Sequence, residues 1–403
     1  MTTTQASDSW RAKESQFYVH VVNRQPLVIA RGKGARVWDA DGKEYLDFVG
    51  GWAVTNLGHT HPDVTKAIAE QAATLIQTSN QFFTIPQVQL AELIVKHSVG
   101  AKVFFANSGT EANEGATKVA RKYGRAHRDG AYEIITVLNS FHGRTLAMVA
   151  ATGQPRYQER WQPLMPGFKH VEYGDLAAIE RATDAKTAAV MIEVVQGEAG
   201  VIVPPEGYLK GLREWCDRHD LLLIFDEIQT GMGRLGTLWG YESVGVEPDV
   251  FTLAKGLGNG VPIGAFVVNG RCDVLEPGDH GSTFGGNALA TAAGHATLRY
   301  MTDHDVPGNA RRVGAYFKGR LEDLRRRRPG LVKDVRGVGL LLAVQFNDAI
   351  SGKVVAACNA GGLLLNAPRP DTIRFMPPLI ITEADVDECM TKLGRGIDAA
   401  LGQ

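Results

Sequence analysis

The alternation of apolar and polar positions changes period along the chain. Near the start, residues 35–48 form two strand-like arms around Asp41-Gly42, a dipeptide suited to a tight hairpin. In the middle, short apolar runs at 102–106, 133–138, 188–195, 221–226 and 250–253 predict buried strands. Ala112, Ala116, Val119, Ala120 and Tyr123 lie between two of them at helical spacing. Such alternation predicts an α/β unit whose mostly parallel sheet is covered on both faces. After about residue 300 the texture changes. Ala315, Phe317, Leu321 and Leu324 mark an amphipathic helix, followed by strand-like runs at 338–346, 362–365 and 373–375 and a last helix from Glu383. That pattern predicts a smaller α+β domain at 301–403, a large domain at 58–300, and an N-terminal segment at 1–57 whose hairpin joins the small domain.

Composition narrows the partners. The chain has 403 residues, and 43 Lys+Arg against 44 Asp+Glu leave a net charge of −1. This balance argues against nucleic acid or a membrane surface, whose binders usually carry a basic excess. At 44% hydrophobic and 22% charged, disorder is not expected. Cys216, Cys272, Cys358 and Cys389 form no C-x-x-C and no zinc spacing, so they read as reduced thiols of a cytoplasmic protein. The polar first sixteen residues do not resemble a secretory signal, and no apolar run approaches the ~18 residues of a membrane span. Arg325–Arg328 reads as a solvated helix end before Pro329.

The glycine-rich motifs mostly exclude. No P-loop occurs, and Gly256, Gly258 and Gly260 lack dinucleotide-loop spacing, with Pro262 where a helix should run. Gly281–Gly285 is not a nucleophile elbow. His59 and His61 have no acidic ligand at metal-like spacing, so no metal is expected. Residues 107–113 (Asn-Ser-Gly-Thr-Glu-Ala-Asn) carry more. An apolar strand runs into a Ser-Gly-Thr turn where a helix begins, which suits a phosphate and equally suits ordinary capping by Ser108 or Thr110. The run 221–226 ends in Asp226 and Glu227, beyond a strand's carboxyl end, where a carboxylate faces a cation or is simply solvated. Lys255 ends another strand at the sheet's edge beside glycines. A lysine there is costly unless used or paired, and a desolvated one is a natural Schiff-base nucleophile. A phosphate cradle, a lysine amine and a carboxylate together meet the needs of pyridoxal 5′-phosphate.

Longer motifs resemble those of the class III (ω-amino acid) aminotransferases: residues 58–62, 105–113, 140–144, 196–198, 225–231, 253–256 and 282–287. The likeness spans residues 24–400 and is greatest to the acetylornithine/ornithine branch. It implies a fold-type-I pyridoxal-phosphate transferase with a mostly parallel, seven-stranded-type sheet. By resemblance, Lys255 is the Schiff-base lysine and proton shuttle, and Asp226 pairs with the pyridine nitrogen. Ser108, Gly109 and Thr110 hold the phosphate, with Thr283 supplied by the second subunit of a homodimer. Phe141, His142, Ile228 and Gln229 complete the cofactor site. Arg144 and Arg374 would bind substrate carboxylates, and Glu198 would mask Arg374 while an ω-amino donor reacts; a permanent Glu198–Arg374 ion pair is the alternative. Tyr18 is a further pocket candidate. The family's usual Glu-Pro is Glu193-Val194 here.

The implied reaction moves the ω-amino group of N-acetyl-L-ornithine, or a close analogue, to 2-oxoglutarate, giving a semialdehyde and L-glutamate, as in arginine biosynthesis. Ornithine, 4-aminobutyrate, succinyl-diaminopimelate or aminoadipate-semialdehyde transamination would use the same residues. So would an aminomutase or a decarboxylase, although Glu198 with Arg374 favours glutamate coupling. A non-catalytic pyridoxal-phosphate-binding protein is the reading from another class.

Overall fold

Three sheets organise the computed structural model, which describes residues 4–402; residues 1–3 and 403 of the expected terminal segments lie outside it. The first sheet is an antiparallel ribbon of β1 (Ile29–Lys33), β2 (Arg36–Asp39) and β3 (Glu44–Asp47). Its tight turn falls at the expected Asp41-Gly42. Gly42 takes φ +85°, and Asp39 Oδ1 accepts from the Asp41 and Lys43 N–H groups at 3.0 and 2.9 Å.

The second sheet contains β4 (Lys102–Ala106), β5 (Glu133–Val137), β6 (Phe168–Val171), β7 (Thr187–Ile192), β8 (Leu222–Asp226), β9 (Val250–Leu253) and β10 (Gly264–Val268). Their spatial order is β4-β10-β9-β8-β7-β5-β6. β10 runs antiparallel to both neighbours, and every other adjacent pair is parallel. β4, β8 and β9 therefore release their chains at the same rim, where open α/β sheets bind ligands. Strands β7 to β10 are buried at every position, as a doubly covered sheet requires. β6 and β10 were not legible in the pattern: β6 is a half-buried edge strand with mixed polarity, and β10 starts inside a glycine-containing stretch. The run 188–195 also proves shorter as a strand. It ends at Ile192, and Glu193 onward bends away toward the rim.

The third sheet joins β11 (Val332–Val338), β12 (Leu341–Phe346), β14 (Asn366–Arg369) and β15 (Thr372–Phe375) in the order β11-β12-β15-β14. The expected single strand at 338–346 is instead the end of β11, a turn with Gly339 at φ +57°, and β12. Between β12 and β14, the short β13 (Leu363–Leu364) leaves this sheet and pairs in parallel with β3. The N-terminal ribbon is thereby tied to the C-terminal part of the chain. The helix Val306–Arg327 buries Val313, Phe317, Leu321 and Leu324, and its last turn carries Arg325, Arg326 and Arg327 at the favourable end of the helix dipole. Arg234, fully buried, donates to Leu340 O at 3.1 Å, Pro377 O at 2.6 Å and Asn56 Oδ1 at 2.6 Å, so one side chain fastens three distant segments. Among the described residues no helix is long and apolar enough to cross a membrane.

The helix Val306–Arg327 supplies a paired test of this packing. A Cβ on Gly314 would lie 2.1 Å from Gly339 O, whereas one on the exposed Gly319 of the same helix would meet nothing within 4 Å. Gly314→Ala is expected to destabilise by about 1–3 kcal/mol. Gly319→Ala is expected to stabilise by about 0.5–1 kcal/mol. Denaturant midpoints of the two variants check both signs.

Candidate active site

The site is built from three strand ends. After β4, Ser108 (φ −153°, ψ 164°) caps the helix Gly109–His127, its hydroxyl accepting from Glu111 N at 3.3 Å. The Glu111 carboxylate turns back to accept from Asn107 N at 2.7 Å and Ser108 Oγ at 3.1 Å. The Gly109 and Thr110 N–H groups remain at the positive end of the helix, on the wall of a cavity of about 360 Å³. Gly109 is required here, because a Cβ would sit 2.7 Å from Ile228 Cδ1. Gly143 (φ +141°) lets the chain pass Thr110, whose Oγ1 would lie 2.2 Å from a Cβ.

β8 delivers Asp226, which is buried. Its Oδ2 accepts from Asn113 Nδ2 and lies 2.8 Å from His142 Nδ1, and its Oδ1 accepts from Ile228 N at 3.1 Å. Asn113 is itself fixed, donating to His142 O and accepting from Thr252 Oγ1, each at 2.8 Å. The carboxylate is thus aimed by two side chains, one from the cradle helix and one from the loop after β5.

β9 delivers Lys255. The strand is internal to the sheet, not at its edge; the lysine sits at its carboxyl end, in left-handed backbone conformation at φ +37°. Its amine lines the cavity with no hydrogen-bond or ion-pair partner among the described residues. Burial lowers its pKa below the usual lysine value, opposed by Glu198. Beside it, burial pushes the Glu193 carboxyl up to about 7 against the pull of His142, and this carboxylate accepts from Phe141 N at 3.2 Å.

Ser108, Gly109, Thr110, Phe141, His142, Arg144, Glu198, Asp226, Ile228, Gln229 and Lys255 all line this one cavity. Arg374 lies behind the wall. It is buried, with Nη2 2.9 Å from Glu198 Oε1 and Nη1 donating to Gln229 Oε1 at 3.3 Å. Burial would raise the Glu198 carboxyl, but Arg374 and then Lys255 hold it below its ordinary value. Arg144 is exposed, with its guanidinium 3.9 Å from the Tyr157 ring centroid. Two more expected residues lie outside the lining. Thr283 is exposed, its carbonyl held by Gln77 Nε2. Tyr18 is 57% exposed and does not reach the cavity, because its segment precedes the ribbon and lies on the surface.

Sequence reasoning assigned no role to Asn113, Glu193 or Asn366. Glu193 had a signal, a lone carboxylate inside an apolar run. Asn113 lies four residues after Gly109, on the inner face of the cradle helix. Asn366 had none.

The fold and the site together define a pyridoxal-phosphate transferase of fold type I. The Aminotransferase class-III family model matches residues 18–397, and the chain belongs to that family. It is 48% identical over 385 residues to the acetylornithine aminotransferase of Methanothermobacter thermautotrophicus, covering 95% of this chain and 97% of the relative. It is 47% identical to that of Caldanaerobacter subterraneus subsp. tengcongensis, covering 94% and 96%. Among solved structures, the ornithine aminotransferase of Toxoplasma gondii superposes with a TM-score of 0.93 at 36% identity, covering 98% and 96%. The acetylornithine aminotransferase of Elizabethkingia anophelis gives 0.87 at 35%, covering 97% and 98%. The protein is therefore an aminotransferase that uses pyridoxal 5′-phosphate and takes an amino donor and a keto acid. The residues present fit that cofactor: among the described residues the amine of Lys255 has no partner, and Gln229 Nε2 on the cavity wall is buried without one.

Desolvation at Lys255 predicts a pH signature. Its amine should be neutral at lower pH than an ordinary lysine of pKa 10.5. In cofactor-free protein, acylation of Lys255 followed by peptide mass spectrometry should show a midpoint below that of a lysine in a short model peptide.

Proposed function

We propose that this protein transfers the ω-amino group of N-acetyl-L-ornithine to 2-oxoglutarate, releasing the semialdehyde and L-glutamate for arginine biosynthesis. One observation carries the substrate reading: the cavity has one unmasked arginine in its wall, Arg144, and a second, Arg374, behind the wall and masked at 2.9 Å by the lining carboxylate Glu198. Arg144, held on Tyr157, would take the donor's α-carboxylate through its planar fork. Arg374 would be neutralised by Glu198 while that donor reacts. 2-Oxoglutarate, with two carboxylates, would then displace Glu198 and use both arginines.

Ser108, Gly109 and Thr110 would hold the cofactor phosphate with backbone N–H and hydroxyl donors at the helix terminus. Phe141 and Ile228 would confine the ring, and Asp226 would keep a proton on its nitrogen, oriented by Asn113 and His142. When bound, pyridoxal phosphate supplies the electron sink and carries the amino group between substrates. Lys255 would take the proton from the carbon bearing the donor's amino group and return it on the other side of the transfer. Burial disfavours its protonated form, which supports its use as a base.

A homodimer completes the reading, with Thr283 reaching the partner's phosphate site. Thr283 lies beside Phe284 (61% exposed) and near Phe82 and Phe83 (62% and 98% exposed), apolar surface that a second copy would cover. The four cysteines are free and buried, which supports a reducing, cytoplasmic setting.

The substrate test adds single donors to the holoenzyme without a keto acid and follows its visible absorbance. Acetylornithine should bleach the long-wavelength band faster than ornithine, succinyl-diaminopimelate or 4-aminobutyrate. Arg144→Ala should slow the acetylornithine half-reaction by about 10–100-fold at subsaturating donor. Faster bleaching by another ω-amino donor would replace acetylornithine in the reading.

Subunit mixing tests the shared site. Lys255→Ala and Thr283→Ala chains, refolded together, should regain activity that neither has alone. The mixed dimer then holds one site with Lys255 from one chain and Thr283 from the other. If Thr283 serves its own chain, mixing restores nothing.

A further inference from the structure

The guanidinium of Arg374 has a second anchor besides Glu198. Asn366, the first residue of β14, pairs across the sheet with Arg374 on β15. Its Oδ1 accepts from Arg374 Nε at 3.1 Å and from Nη2 at 2.8 Å, along one edge of the guanidinium. Gln229 Oε1 takes one Nη1–H at 3.3 Å. Of the guanidinium's five N–H donors, two go to Asn366 and one to Gln229, while Glu198 Oε1 lies 2.9 Å from Nη2 as an ion pair. When Glu198 moves away, one Nη1–H and one Nη2–H remain, at the guanidinium's end. That pair matches the two oxygens of a carboxylate.

We propose that Asn366 is the positioning residue of the Glu198–Arg374 switch: its neutral carboxamide oxygen holds the side edge of Arg374 without neutralising it, leaving the end of the guanidinium for a dicarboxylate substrate. The proposal rests on the reading of Arg374 as a substrate-carboxylate binder. An acceptor at this position must be uncharged. A carboxylate of the same shape would pair with Arg374 permanently, and no incoming substrate could displace it, since it belongs to the strand and not to a loop that can swing. An alanine would free the edge, and the guanidinium, buried and pulled toward Glu198, would lose its alignment with the cavity.

The test measures the two half-reactions of the holoenzyme separately, in Asn366→Asp, Asn366→Ala and Arg374→Lys. Asn366→Asp should raise KM for 2-oxoglutarate at least about 30-fold while the ω-amino donor half-reaction stays within about twofold. Asn366→Ala should raise the same KM about 3–10-fold, again with the donor step preserved. A structural defect would move both half-reactions together. If Arg374→Lys weakens 2-oxoglutarate but both Asn366 variants bind it normally, the positioning role is overturned and the reading of Arg374 stands. If Arg374→Lys itself leaves 2-oxoglutarate unaffected, that reading fails first. Equal losses in both half-reactions of the two Asn366 variants would also overturn the proposal, since Asn366 would then be serving the fold.

Discussion

Everything chemical in this molecule depends on three chain ends meeting at one rim of a sheet. β4, β8 and β9 point the same way because the antiparallel β10 is inserted between β4 and β9 and reverses direction twice. The consequence is geometric. A helix N-terminus, a carboxylate and a lysine amine converge without any of them leaving regular structure by more than a few residues. Rigid elements can hold such a constellation more tightly than loops can. The cost falls at Lys255, whose backbone sits in a left-handed conformation that non-glycine residues seldom adopt.

Buried charge around this rim is handled in two ways. Asp226 and Arg374 are charged groups with directed partners on more than one side, so their orientation is fixed by hydrogen bonds. Arg234 is the contrasting case. Among the described residues it has only neutral acceptors, two carbonyls and one carboxamide, and burial lowers its pKa to about 9. Its acceptors come from the N-terminal segment, the turn before β12 and the chain after β15. The penalty of enclosing that cation is offset only when all three segments are in place, which couples assembly of the outer sheets to the central one.

How much of this was legible in the sequence varies with the physics of each element. β4 and β9 were readable to the residue: β9 is internal and buried at every position, hence largely apolar, and β4, although at the sheet's edge, is apolar from Val103 to Ala106. β6 was not, since an edge strand tolerates lysine and histidine. The 338–346 run was misjudged because apolar pattern cannot see a reversal made by Gly339 between two strands. At the site, residues inside long motifs were placed together, whereas Asn366 went unassigned: an asparagine in a turn-rich stretch looks like any other. Its meaning comes only from the cross-strand register that sets it opposite Arg374.

That register also bears on how, under the proposed function, one cavity would accommodate substrates of unlike charge. A masked arginine must satisfy two demands: it has to be neutralised when one substrate is bound, and available in the same orientation when the other arrives. A single carboxylate partner can meet the first demand but leaves the guanidinium free to follow it. Separating the partners meets both. The acidic partner, Glu198, lies in the bend after β7 and is partly exposed, while the neutral partner, Asn366, belongs to the same sheet as Arg374. Under the proposed switch, charge compensation would fall to a turn residue and orientation to a strand residue. The two functions can then change independently, which a lone ion pair could not achieve.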